Sequence, residues 1–190
     1  MATLLLHACC GPCASYSVEH LRYQGYQVTA LWYNPNIHPF QEHQRRLEAM
    51  QRLAQAIDLP LLIPQGYELI RYLRAIVGHE AERCRYCFRL RFAKTAEIAR
   101  QNAFATFTTT LLISPHQKHE LLCQVGEEVA AETGVSFLYQ DLRPGFSQSR
   151  RLSKEHDLYR QQYCGCIYSE WERFGRADIA AEAKQCSPGD

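Results

Sequence analysis

Apolar positions along the chain follow two alternating rhythms. Short β-branched or aliphatic runs, Thr3 to His7, Val28 to Tyr33, Leu61 to Ile63, Ala105 to Thr110 and Val135 to Tyr139, alternate with longer stretches in which apolar residues recur every three or four positions. The first rhythm reads as buried strand and the second as helix with one buried face. In PFQEHQRRLEAMQRLAQAIDLP, residues Leu47, Met50, Leu53, Ala54 and Ile57 keep helical step, and Pro60 ends the helix. Ala14 to Gln24 is a helix closed by Gly25, Tyr67 to Ile76 and Phe88 to Asn102 are helical, and Gln117 to Thr133 is stopped by Gly134. Beyond Asp141 the chain turns more polar and helical. Strand alternating with helix predicts an α/β fold: a single domain with a mainly parallel sheet, Rossmann-like and doubly wound, and a more helical C-terminal segment.

Sheets of this kind bind ligands beyond the carboxyl ends of their strands. The chain's unusual segments fall at those ends: CCGPC after the first strand, NPNIHP after the second, LLISPHQKHE after the fourth and DLRPGFS after the fifth. They are expected to share one rim. There is no G-x-G-x-x-G after the first strand, no G-x-x-x-x-G-K-[ST], and no S-G-G-x-D-S loop for pyrophosphate. Dinucleotide or ATP use therefore has no motif behind it, and cysteines hold the place of the phosphate loop.

With 190 residues the chain can bury a core without staples, so one domain over residues 1–190 is expected, its core about residues 3–175, followed by a polar tail. No basic, apolar, small-residue leader opens the chain, and no apolar run approaches the roughly 20 residues that span a bilayer, so a cytoplasmic protein with no membrane partner is expected. Nine cysteines in a reducing compartment point to metal or redox chemistry rather than a disulfide framework. A net charge of +1 implies no general nucleic-acid surface, only local clusters.

Seven of the cysteines fall into three groups: Cys9, Cys10 and Cys13; Cys84 and Cys87 in RCRYCFR; Cys164 and Cys166 in YCGCIYS. A C-x-x-C puts two sulfurs within reach of one metal, and a second Cys-rich loop can complete the coordination. Zinc and iron both accept such a set. Adjacent Cys9 and Cys10 would chelate a single zinc awkwardly, whereas two irons of a cluster can each take one sulfur. C-G-C can close a small, bent and easily reduced disulfide, can add metal ligands, or can stay a pair of plain thiols. Cys123, beside Leu121, Leu122 and Val125, reads as a small core residue, and Cys186 as a surface thiol of the tail.

Arg83, Arg85, Arg89 and Arg91 surround the C-x-x-C, where they could lower thiol pKa, hold phosphates, or form a solvated helix face. Arg143, Arg150, Arg151 and Lys154 make a second basic group leading toward C-G-C. Asp141 at the end of the fifth strand could ligate a hard ion, move a proton, or pair with Arg143. Asn34, Asn36 and His38 lie in a loop stiffened by Pro35 and Pro39, suited to positioning a substrate. Tyr163 and Tyr168 bracket C-G-C, where they could donate protons, stack on a base or pack.

Taken together and in order from about Leu4 to Glu170, HACCGPC, NPNIHP with its Arg-rich helix, RCRYCFRLR, TTTLLISPHQ, DLRPGF and YRQQYCGCIYSE resemble the cobalamin-independent epoxyqueuosine reductase family. The resemblance implies reduction of epoxyqueuosine, in the wobble position of a tRNA, to queuosine, with a separate electron donor. It further implies a 4Fe-4S cluster on Cys9, Cys10, Cys84 and Cys87, and a redox-active pair in Cys164 and Cys166. A second, mononuclear iron is associated with the family, and Cys13 and Asp141 are the candidates for it here. Asn34, Asn36, His38, Arg85, Arg89, Arg143 and Tyr163 are the residues expected to meet the substrate.

The chemistry fits independently. Converting an epoxide to an alkene takes two electrons and two protons and expels water, while a cluster delivers electrons singly, so a dithiol completes the count. A Lewis-acidic iron would act on the epoxide oxygen, and Asp141, Tyr163 or Tyr168 would supply protons. One rival is an iron-sulfur-dependent tRNA sulfur-transfer enzyme, against which the missing ATP loop counts. The other is a non-catalytic zinc module that binds RNA through its arginines.

Overall fold

The computed structural model describes residues 2–175. Five parallel strands form one sheet: β1 (Thr3–His7), β2 (Gln27–Leu31), β3 (Leu61–Leu62), β4 (Thr106–Thr109) and β5 (Ser136–Phe137), in the order β3-β2-β1-β4-β5. Leu5 of β1 lies opposite Thr29 of β2 and Phe107 of β4, which fixes the register at the centre. Among the described residues seven α-helices connect and extend the strands: α1 (Gly11–Tyr23), α2 (Phe40–Ala56), α3 (Leu69–Ile76), α4 (Arg83–Gln101), α5 (His119–Thr133), α6 (Phe146–Glu155) and α7 (Ile167–Phe174). The predicted α/β class and the polar, helical C-terminal segment are what the chain adopts. Among the described residues no helix is long and apolar enough to cross a membrane.

Both faces of the sheet are covered, as the unbroken apolar run LLL of β1 requires. Leu4 and Leu6 pack with Val18, Leu21, Met50 and Leu53 from α1 and α2, whereas Leu5 packs with Phe88, Phe92, Leu122 and Val125 from α4 and α5. The two-residue period of a strand thus divides one tripeptide between two cores. Strand order reverses between β1 and β4, so the loops leaving those strands diverge and open a crevice at the centre of the carboxyl edge.

Two helices start earlier than their periodicity indicates, and both shifts move cysteines. α1 begins at Gly11 rather than Ala14, with Pro12 in its first turn and Cys10 as N-cap, its sulfur accepting from the Cys13 amide at 3.4 Å. α4 begins at Arg83 rather than Phe88, because nothing between His79 and Gln101 breaks a helix. Cys84 and Cys87 therefore occupy one face of its first turns instead of a preceding loop. The third and fifth strands shrink to two residues each.

Candidate active site

The end of β1 is fixed by side chains as well as by the sheet. His7 is fully buried, with Nδ1 2.9 Å from the Thr109 hydroxyl and Nε2 3.2 Å from the Tyr33 carbonyl, so one imidazole ties the ends of three strands. Burial, reinforced by the charge of Arg91, lowers its pKa to about 3 and keeps it neutral. Next along, the Cys9 amide donates to the Thr110 hydroxyl at 3.0 Å, and that hydroxyl donates to the Cys9 sulfur at 3.2 Å. The loops after β1 and β4 are thereby joined across the crevice.

The sulfurs of Cys9, Cys10 and Cys13 lie within 4.8 Å of one another, those of Cys9 and Cys10 3.8 Å apart. Their proton affinities divide sharply. Hydrogen bonds from Cys10 and Cys13 hold Cys9 well below the usual thiol range, burial pushes Cys10 far up, and contact with Cys10 does the same to Cys13. One thiolate is thus stabilised by two neighbouring thiols. Gln161 reaches over the group, its amide donating to Cys10 at 3.0 Å. Clustered sulfur donors with little access to water fit a thiophilic metal such as zinc or iron, and bringing in the metal would displace the remaining protons.

The C-G-C loop is held by another device. Arg46 of α2 is 1% exposed and sends its two terminal nitrogens to the carbonyls of Cys164 (2.9 Å) and Tyr163 (3.2 Å). Its Nε is bound to Glu42 at 2.7 Å, and Tyr159 donates to the other oxygen of Glu42 at 2.6 Å. The guanidinium also lies over the Tyr163 ring. Gly165 has φ 138°, and a Cβ there would meet Ile37 at 3.0 Å, Arg46 at 3.2 Å and Asn36 at 3.3 Å, so the position requires glycine. The Gly165 carbonyl accepts from the His38 amide at 2.7 Å, and Tyr163 donates to the His38 carbonyl. The loop presents Cys164 to the crevice, where Gln117 donates to its sulfur at 3.4 Å, and buries Cys166, whose sulfur caps α7 by accepting from the Ser169 amide at 3.4 Å.

A cavity of 580 Å³ opens here, lined by Cys9, Cys13, Tyr163 and Cys164 and by the exposed Arg150, Arg160 and Arg173. No carboxylate is among its lining residues within the described chain. The space favours an anionic ligand beside reactive sulfur.

A family profile described as "Epoxyqueuosine reductase QueH" matches residues 4–172, a span that contains all three cysteine groups. The chain belongs to this family. "Epoxyqueuosine reductase QueH" of Dehalococcoides mccartyi is 47% identical over 178 residues, covering 94% of this chain and 98% of that protein. The Thermotoga maritima protein of the same description is 32% identical over 182 residues, covering 91% and 93%. In fold alone, the chain is similar to "The crystal structure of predicted subunit of tRNA methyltransferase from Methanocaldococcus jannaschii DSM", with TM-score 0.55 and 12% identity over 82% of this chain and 75% of that one. As a QueH family member the chain is an oxidoreductase.

Within this QueH family member the remaining predicted site residues divide clearly. Asn36, His38 and Tyr163 surround the C-G-C loop and support it, and Asn34 donates to the Ala8 carbonyl at 2.8 Å, bracing the loop that carries the first cysteines. Cys87 packs with Cys166, Tyr72 and Ile76, and burial raises it to about 12. Cys84 packs at the edge of the same core as Cys9. Other residues are engaged elsewhere. Arg85 and Arg89 bind Glu128 and Glu132, each at 2.8 Å, stitching α4 to α5. Asp141 pairs with Arg143 at 2.7 Å, lowered to about 2 by that contact, and neither lines the thiol cavity. Tyr168 is half-buried and donates to Glu80 at 3.5 Å. Cys123 is half-exposed, 3.4 Å from Glu127, so its expected place in the core is corrected: the buried stripe of α5 runs through Leu122, Val125, Gly126 and Val129 and passes it by. Cys186 lies outside the described residues.

Sequence reasoning missed Arg46, Glu42, Gln117 and Gln161. A signal existed for the first two: Glu42 and Arg46 are four apart and in phase with Ala49 and Leu53, which places an ion pair on a buried face.

Proposed function

We propose that this protein reduces the epoxide of epoxyqueuosine, at the wobble position of tRNA, to the alkene of queuosine, acting as one reductase domain in the cytoplasm. The observation that carries this reading is the shared cavity: thiols from distant parts of the chain, Cys9, Cys13 and Cys164, line it together with three exposed arginines. Arg150, Arg160 and Arg173 are suited to RNA phosphates flanking the modified nucleoside.

Cys9 and Cys10 would hold a metal, with Cys13 beside them, and Cys84 and Cys87 of α4 would complete its ligands. Iron bound there, as a 4Fe-4S cluster or with an additional single ion, supplies electrons singly and a Lewis-acidic site. The chain's own groups account for the overall balance. Two thiols, Cys164 and Cys166, release two electrons and two protons as they form a disulfide, and an epoxide accepting them becomes alkene plus water. The exposed Cys164 stands at the substrate side, oriented by Gln117, while Cys166 is the buried partner. Forming the disulfide withdraws the Cys166 sulfur from the Ser169 amide, so the start of α7 responds to the state of the pair. An external electron donor then restores the dithiol. Tyr163 holds the loop through its bond to His38, and the two thiols supply the two protons that the balance requires.

Anaerobic protein reconstituted with ferrous iron and sulfide, given a dithiol reductant and tRNA bearing epoxyqueuosine, should yield queuosine by nucleoside mass spectrometry. A colourless protein with stoichiometric zinc and no conversion would overturn the reading.

A further inference from the structure

Arg91 is the odd cation of this fold. It sits within α4 at 1% exposure, its Nε donating to the Cys87 carbonyl at 3.3 Å and its guanidinium 5.5 Å from the centre of the Phe88 ring. Its Nη2 has no hydrogen-bond partner, and among the described residues no carboxylate forms an ion pair with it. The other fully buried arginine, Arg46, has Glu42 and two carbonyls. A guanidinium left in the interior without an anion is strongly destabilising, so a fold that keeps one has a partner for it. Burial opposes the charge of Arg91, and the thiols of Cys87, Cys164 and Cys9 and the Tyr72 phenol favour it. Those three thiols come from three separate segments.

We propose that Arg91 is the built-in counter-charge of the metal-thiolate centre, a single buried guanidinium whose anion is the thiolate set drawn from the loop after β1 and the start of α4. The proposal rests on the reading that Cys9, Cys10, Cys84 and Cys87 hold a metal. Arg91 does not line the cavity, so it acts through the thiolates as a positioning and charge-setting residue rather than on substrate. Two consequences follow. Ligation removes thiol protons and leaves net negative charge, which the guanidinium offsets. Reduction adds a further electron, which a neighbouring cation favours, so Arg91 raises the midpoint potential of the centre.

The test compares wild type, Arg91→Met and Arg91→Lys, each metal-free and after reconstitution with ferrous iron and sulfide. Methionine fills the space without the charge, so metal-free Arg91→Met should melt at or above the wild-type temperature, while the rise in melting temperature on loading should shrink. In the loaded protein its midpoint potential should move negative, and Arg91→Lys should stay near wild type. Metal-free Arg91→Met that is destabilised or unfolded overturns the proposal, because the arginine would then be structural whatever the metal. An unchanged loading gain or an unchanged potential overturns it as well. Wild type that takes up no metal at all would instead remove the metal-centre reading beneath it.

Discussion

Cys9 and Cys13 after β1 and Cys164 of the C-G-C loop face one cavity, but they reach it by different means. Cys9, Cys10 and Cys13 stand at the edge of a parallel sheet, where strand pairing, the His7 bonds and the Thr110 hydroxyl fix the backbone before any ligand is present. Cys164 and Cys166 lie in irregular chain, and what fixes them is a side chain from α2 reaching across more than a hundred residues. A metal site benefits from the first arrangement, since its ligands must not move. A dithiol that opens and closes benefits from the second, since side-chain clamps allow a short loop to change shape while the sheet stays rigid.

The largest effects should come from separating the two regions chemically. Cys10→Ser should abolish steady-state turnover and lower iron content together. Cys164→Ser should abolish turnover by at least about a hundredfold while iron content stays at the wild-type level. Iron analysis beside nucleoside analysis makes the distinction. Equal loss of iron in both variants would show that the C-G-C loop belongs to the metal site, and the contrast would fail.

Arg46 tests the clamp next. Arg46→Met strands Glu42 in the interior and should destabilise the fold by about 3 to 5 kcal/mol in denaturant melts. Removing both charges, Arg46→Met with Glu42→Leu, should recover most of that stability. Turnover should nevertheless remain down by about a hundredfold, as for a misplaced catalytic group. Recovery of turnover along with stability would reduce the clamp to a packing feature.

The same contrast separates what the sequence discloses from what it conceals. Topology was legible: the LLL run, the alternation of strand and helix, and the placing of CCGPC at a strand end all follow from local pattern, and the first cysteines are positioned by that topology alone. Arg46 was hidden because a helix reading RRLEAMQRL presents arginine as solvated surface until the burial phase is traced back through Ala49 and Leu53 to Glu42. Arg85 and Arg89 misled in the opposite sense. Their closeness to C-x-x-C in sequence suggested an anion site, but Cys84 and Cys87 use one face of α4 while these arginines meet glutamates of α5. Asp141 was read from its place at a strand end, and its partner proved to be two residues away.

Helix α2 offers a finer probe of how the C-G-C support depends on buried polar groups. His43 accepts from the Trp32 indole at 3.3 Å, and burial, with the Arg46 and His38 charges adding to it, lowers its pKa to about 4. The folded value is below the unfolded one, so the unfolded chain binds the proton first as pH falls. Stability is therefore complete above about pH 7 and is lost from about pH 6.5 down to pH 4. Between pH 7 and pH 5 the loss from this residue should be about 2 kcal/mol. His43→Gln, which keeps an acceptor for Trp32, should flatten that part of the profile in melts at the two pH values. A profile unchanged in the variant would assign the acid sensitivity to another group.

The smallest effect should come from the thiol that belongs to neither region. Cys123 lies one position off the buried stripe of α5, its sulfur beside Glu127 one turn ahead, both facing away from Leu122, Val125 and Val129. Cys123→Ser should change stability by less than about 0.5 kcal/mol and leave both iron content and turnover at wild-type values. Cys10→Ser removes the same atom from the same chain, yet it should cost everything the enzyme does. The difference lies in where the fold puts the sulfur: one at a strand end where two cores and two loops converge, the other on the outer side of a helix. A Cys123→Ser variant that lost iron would mean that thiol number, rather than placement, sets the metal content, and the division between the two regions would lose its basis.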